Sequence, residues 1–275
     1  MKVPELKSQY IWVFIFLLYL VPIFFPVGAP FQMSEITVEI YKYIDKLPPG
    51  SIVVIGGSSV FAFDLESSAA LIPAIRQMAR RGLRVVTAPF SVEAAQFERY
   101  AIDAARVDEK YGGPWKYGRD YVLLPYMPGA DAAMVSFLTD VRSAVKTDVY
   151  GTPLDQLPLM KDFRNYKDIA LWVCPHWAFP MVVRYATAER GIPSVYFAQA
   201  AAYASYTPYM MMYPGKVWMT NGFLGGAQYE KLEGMRGLGH AAIDTYTLVS
   251  AAYLIFIILG NIRMIASLRE EEGGS

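Results

Sequence analysis

The sequence predicts an α/β protein: a doubly wound, mostly parallel sheet of about five strands in a three-layer sandwich, set between an N-terminal and a C-terminal transmembrane helix. Three observations predict it. Short apolar runs bounded by turn residues alternate with segments of helical periodicity from Ser51 to Ala198, the pattern of strands buried on both faces. Crossovers between parallel strands are right-handed, which favours a doubly wound order. Two charge-free apolar segments lie near opposite ends of the 275-residue chain, dividing it into residues 1–32, a central domain over 33–239, and residues 240–275.

From Tyr10 to Val27 there are about 18 residues without a charge, the lower end of what spans a hydrocarbon core. Tyr10 and Trp12 stand at one margin, where amphipathic rings favour the headgroup level. Val27-Gly28-Ala29 has the look of a signal-peptide cleavage site, but Pro30 follows it, and a retained anchor is the expectation. The second segment runs from about Tyr246 to Ile262, between Asp244 and Arg263. Lys2 and Lys7 precede the first segment, and Arg263 and Arg269 follow the second. The positive-inside rule then puts both termini in the cytoplasm and the domain outside.

Between them, Ser34 is placed to cap a helix to about Asp45, with Ile36, Ile40, Ile44 and Leu47 on one stripe. Strands are predicted at Ser51–Ile55, Leu83–Ala88, Tyr121–Met127, Ile169–Cys174 and Ser194–Ala198. The intervening helices are expected at Ser67–Arg81, with Pro73 in its first turn, from Ser91 to about Tyr111, from Asp131 to about Val145, and at Phe179–Arg190. Ala94, Phe97, Ala101 and Ala105 or Ile102 form the inward stripe of the second of these. Tyr150–Tyr166, Ala200–Tyr213 and Asn221–His240 break the alternation.

Hydrophobic residues make up 54% of the chain and charged residues 18%, with zero formal net charge. That balance carries no footprint for nucleic acid. The lone Cys174 has no partner for an intramolecular disulfide.

Gly56-Gly57-Ser58-Ser59 leaves the first strand, where open α/β sheets hold ligands. It lacks the Lys of a phosphate-binding loop and the third glycine of a dinucleotide fingerprint. A tight strand exit is therefore its plainer reading. Gly129 and Asp131, and His176, leave other strands on the same edge and with Thr87 and Gln199 line a candidate crevice. There Asp131 and Asp64 are candidate acids or ligands and His176 a candidate base. Helix capping is the plainer reading for Asp131 and a turn for Asp64. No spacing matches a metal motif or a nucleophile elbow, so the sequence implies no metal, no cofactor and no catalytic residue.

Tyr203, Tyr206, Tyr209, Met210, Met211, Met212 and Tyr213 form a candidate interface, since aromatics and methionines are enriched where surfaces meet. The same composition serves a bilayer face or a domain core. Neither apolar segment carries an internal charge, so no ion pathway is marked.

Leu47-Pro48-Pro49-Gly50-Ser51, Tyr150-Gly151-Thr152-Pro153-Leu154-Asp155, Leu157-Pro158-Leu159-Met160-Lys161, Leu224–Glu230 and Gly237-Leu238-Gly239 are the phrases through which the chain resembles an uncharacterised family of prokaryotic two-span membrane proteins with a central α/β domain. The resemblance covers nearly the whole chain. It implies the topology and carries over no catalytic residue. The expectation is a structural or assembly subunit, its partners the lipid bilayer, further copies or other membrane subunits. The alternative is a small-molecule-binding or enzymatic domain using the sheet edge.

Overall fold

The structure is a computed structural model that describes residues 7–58 and 61–272. The chain divides into two units, Phe31–Gly239 and a second in which the residues up to Pro30 join those from His240 onwards.

In the first unit six strands form one sheet: β1 (Ile52–Gly57), β2 (Arg84–Pro89), β3 (Tyr121–Val122), β4 (Ile169–Cys174), β5 (Ser194–Ala198) and β6 (Val217–Asn221). Every pairing is parallel and the order is β3-β2-β1-β4-β5-β6. This is the order of a doubly wound Rossmann sheet, whose direction of winding reverses between β1 and β4. All six residues of β1 are buried, as the middle strand of a sheet covered on both faces requires.

Alternation along the strands sorts the core into two layers. Val53, Ile55, Val85, Leu171 and Phe197 face α2 (Glu35–Lys46), α3 (Phe61–Arg80) and α4 (Val92–Ala105). Val54, Val86, Trp172 and Tyr196 face α5 (Ala130–Thr139) and the short α8 (Phe179–Val182), which runs into a π-helical turn at Val183–Ala188. Between these last two, α6 (Val141–Ala144) and α7 (Pro158–Lys161) are single turns. The remaining helices of the unit are α9 (Ala200–Met212) and α10 (Gly222–Leu232). α10 crosses α3 so closely that a Cβ on Gly226 would lie 2.4 Å from that of Ala69. The glycine-rich phrase around Gly226 is thus a helix-packing requirement.

The sheet has six strands where the sequence pattern indicates five. The sixth, β6, lies in a stretch without strand periodicity and is specified by its neighbours, pairing Val195 with Trp218 and Phe197 with Thr220. β3 pairs over two residues instead of seven. Pro125 has no N–H for a ladder, and past Val122 the Leu124 N–H donates to the Thr87 hydroxyl at 3.0 Å. α3 begins at Phe61, six residues before the expected Ser67, and Pro73 falls in its interior. Ala200–Met212, which breaks the alternation in sequence, is helical.

In the second unit, α1 (Ser8–Phe24) packs along α11 (Leu238–Glu272) through Ile15, Val249 and Ala252, flanked by Ile11, Leu18 and Phe256. Among the described residues, one helix, Leu238–Ala266, is long and apolar enough to cross a membrane. The expected N-terminal span is not supported. α1 has 17 residues and carries Pro22 in its last turns. It is about 26 Å long at 1.5 Å per residue, short of a core of about 30 Å.

The turn after α1 is held by Asp244, which is 2% exposed. Its carboxylate accepts the backbone N–H groups of Val27, Gly28 and Ala29 at 3.0, 3.2 and 2.7 Å. Asp244→Ala leaves those donors without that acceptor, at a cost of about 1–3 kcal/mol per buried group. The expected result is faster proteolytic cleavage between Phe25 and Phe31 in the detergent-solubilised variant; unchanged cleavage would show that the carboxylate does not hold the turn.

Candidate functional site

At the carboxyl end of the sheet, where β1 and β4 diverge, three titratable side chains meet. His176 follows β4 by two residues. Its Nδ1 lies 2.7 Å from Asp64 Oδ2, on the first turn of α3, and its Nε2 lies 3.1 Å from Glu98 Oε1, in the middle of α4. The imidazole and both carboxyl groups are at most 1% exposed.

A second tier fixes the first. Gln199, immediately after β5, donates to Ser67 Oγ at 2.9 Å and to Asp64 Oδ1 and the Pro175 carbonyl at 3.3 Å. It accepts the Tyr196 hydroxyl in turn. The Phe97 ring meets the imidazole edge-on at 5.6 Å, and the Cys174 thiol donates to the His176 carbonyl at 3.3 Å. The ends of β4 and β5 and the helices α3 and α4 are thereby tied through buried polar groups.

The glycines of the strand exit belong to this arrangement. A Cβ on Gly56 would lie 2.4 Å from the Ala88 carbonyl oxygen, and one on Gly57 would lie 3.1 Å from both Cys174 Sγ and the His176 ring. Gly57 is bare because the imidazole is packed over it.

Electrostatics follow from burial and count. One imidazole stands between two carboxyl groups, so a fully ionised cluster has a net negative charge away from water. Burial pushes Glu98 up to about 7, against the hydrogen bond and charge of His176. Burial works against a charged His176, but the hydrogen bonds and charges of Asp64 and Glu98 outweigh it and raise it to about 9. Glu98 Oε2 is buried with no hydrogen-bond partner, which favours the protonated, uncharged acid. As pH rises through about 7 the cluster therefore gains negative charge at Glu98 while His176 keeps its proton. The same burial raises the Cys174 thiol, which leaves it an unreactive thiol.

Of the sequence candidates, Gly56, Gly57 and His176 meet here, with Asp64, Thr87 and Gln199. Ser58 follows them, partly exposed, its carbonyl accepting the Ala178 N–H at 3.2 Å; Ser59 lies outside the described residues. Gly129 and Asp131 are elsewhere: Asp131 is exposed and accepts the Tyr185 hydroxyl at 3.0 Å. Tyr203, Tyr206, Tyr209, Met210 and Tyr213 pack against the domain core, while Met211 and Met212 are exposed. Glu98 is the residue the sequence reading passes over. It stands four residues after Ala94 and three before Ala101, a carboxyl group on an otherwise inward apolar stripe, and that position is its signal. Among the described residues no group of His, Cys, Asp and Glu is arranged to hold a metal ion.

In comparisons with protein-family models, curated proteins and solved structures, nothing matches this chain. The site's chemistry therefore rests on its geometry.

The pH dependence has a definite sign. Folded Glu98 keeps its proton to about 7, where an unfolded glutamate loses it near 4.5, so its contribution to stability is full in acid and is lost as pH rises through 7. His176 acts in the same sense, its contribution being lost as pH rises through about 9. Glu98→Gln removes the first of these losses. Compared by thermal melting, the variant is expected to gain on the wild type between pH 5 and 8, by at most about 3 kcal/mol. A difference that stays constant with pH would overturn this assignment of the proton.

Proposed function

We propose that this chain is a structural or assembly subunit anchored to a lipid bilayer, its Rossmann-like domain outside the hydrocarbon, working with further copies or with other membrane subunits. The observation that carries the reading is the buried cluster at the carboxyl end of the sheet. Asp64, His176 and Glu98 are buried there and hydrogen-bonded to one another, and these side chains knit the domain together. Anchoring is supported by α11, whose apolar residues, among them Leu254, Ile257 and Ile258, are more than half exposed. Such a surface needs an apolar neighbour. α1 adds Trp12, Phe16 and Ile23, each more than 60% exposed, and lies alongside as a shorter second helix. The basic flanks favour cytoplasmic termini and an extracytoplasmic domain.

A second reading has one specific observation behind it. An imidazole held between two carboxyl groups at a switch point is also an acid–base arrangement, and in that reading the edge binds a small polar molecule.

Two measurements on the detergent-solubilised chain separate the readings. Light scattering is expected to give a mass of at least two chains, and nucleotide titrations no saturable binding. A monomer at every concentration would overturn assembly with further copies. Saturable nucleotide binding that His176→Asn abolishes would establish the second.

A further inference from the structure

A surface pocket of about 540 Å³ follows the α1–α11 contact and is almost entirely apolar, but another within the α/β unit has chemistry of its own. It measures about 430 Å³ and is lined by Asp131, Met181, Arg184, Tyr185, Tyr209 and Tyr213, with Pro180, Val183 and Ala188 completing the wall. That volume lies within the range of small-molecule clefts, about 300–1,000 Å³. Asp131, Tyr209 and Tyr213 drew notice in the sequence, and the buried cluster at His176 uses none of them.

The two charges here are arranged in an unusual way. Arg184 stands with its guanidinium carbon 4.9 Å from the centre of the Tyr185 ring, while the hydroxyl of that ring donates to Asp131 Oδ2 at 3.0 Å. One tyrosine thus holds a guanidinium at its face and a carboxylate at its tip. Neither charge has an ion-pair partner among the described residues; the neighbouring Arg190, by contrast, pairs with Glu189 at 2.8 Å. Arg184 and Tyr185 are carried on the π-helical turn Val183–Ala188, a rare backbone form that recurs at functional sites. Below the charges, the floor is Met181, Val183, Tyr209 and Tyr213, apolar and aromatic.

We infer that this pocket is a second binding site, for a small zwitterion of dipeptide size with an apolar body. Asp131 takes its ammonium group, Arg184 its carboxylate, and the tyrosine–methionine floor its side chains. Size follows from the spacing. The Tyr185 ring separates the two groups, with Arg184 4.9 Å from its centre and Asp131 3.0 Å from its hydroxyl, a span of the same order as the reach of two extended residues, about 7 Å. The chemistry of recognition is charge-assisted hydrogen bonding at both ends over aromatic contact area. This inference is independent of the role of His176.

The test is calorimetric titration of the full-length chain in mild detergent with the dipeptide Phe-Leu, beside N-acetyl-Phe-Leu and Phe-Leu amide. Phe-Leu is expected to saturate one site. Acetylation, amidation, Asp131→Asn and Arg184→Gln are each expected to weaken binding about tenfold. Pairing supplies the sharper criterion: acetylation is expected to cost nothing further in Asp131→Asn, and amidation nothing further in Arg184→Gln. Both side chains are exposed, and melting curves matching the wild type verify that the variants fold. Absence of saturable binding, equal binding of the capped peptides, or costs that simply add would overturn the inference.

Discussion

An imidazole that touches two carboxyl groups while cut off from water is expensive to build, and the α/β unit is arranged so that His176 has both. Asp64 comes from the start of α3, Glu98 from the middle of α4, and His176 from the exit of β4, three elements far apart in the chain. Removing one member strands the others in a low-dielectric setting, which costs more than the intact contact contributes. The contact therefore works as a constraint: α3 and α4 must sit where their carboxyl groups reach the ring, and β1 must carry Gly57 where the ring lies. The second tier through Gln199 and Tyr196 extends the same demand to β5.

Much of the layered architecture was legible because it follows from hydrophobic periodicity. The runs at Ile52–Gly57, Arg84–Pro89 and Ile169–Cys174 are short, apolar and β-branched, and they are strands. What periodicity misses is set by partners. β6 owes its pairing to β5, and β3 ends early because Pro125 cannot donate. The site was half legible. His176, Asp64, Thr87 and Gln199 follow from the rule that strand ends converge on one edge, but the rule does not say whether convergent groups leave a crevice or fill it. Glu98 betrays itself only as an acid on an apolar stripe, and Asp131, equally eligible by position, turns to Tyr185 instead.

The second unit shows how little charge is needed to shape an apolar pair of helices. α1 and α11 meet through apolar contacts, among them the edge-on rings of Phe14 and Phe256 at 5.9 Å, whereas Asp244 binds three consecutive N–H groups in the turn that follows α1. Gly28, with φ of 76°, has the left-handed conformation that lets the turn close around the carboxylate. A sequence scan reads Asp244 only as the limit of an apolar segment; in the structure it is the group that holds the turn after the neighbouring helix.

The parallel order of the sheet also has a kinetic side. β1 pairs with β2 within about thirty residues, but its other neighbour, β4, begins at Ile169, so the last side of the cluster arrives only after a long stretch of chain has been laid down. Contacts of such sequence separation form slowly. His176 and Asp64 stand 112 residues apart in the chain, so the contact that ties β4 to α3 is one of the long-range contacts on which the rate of folding depends.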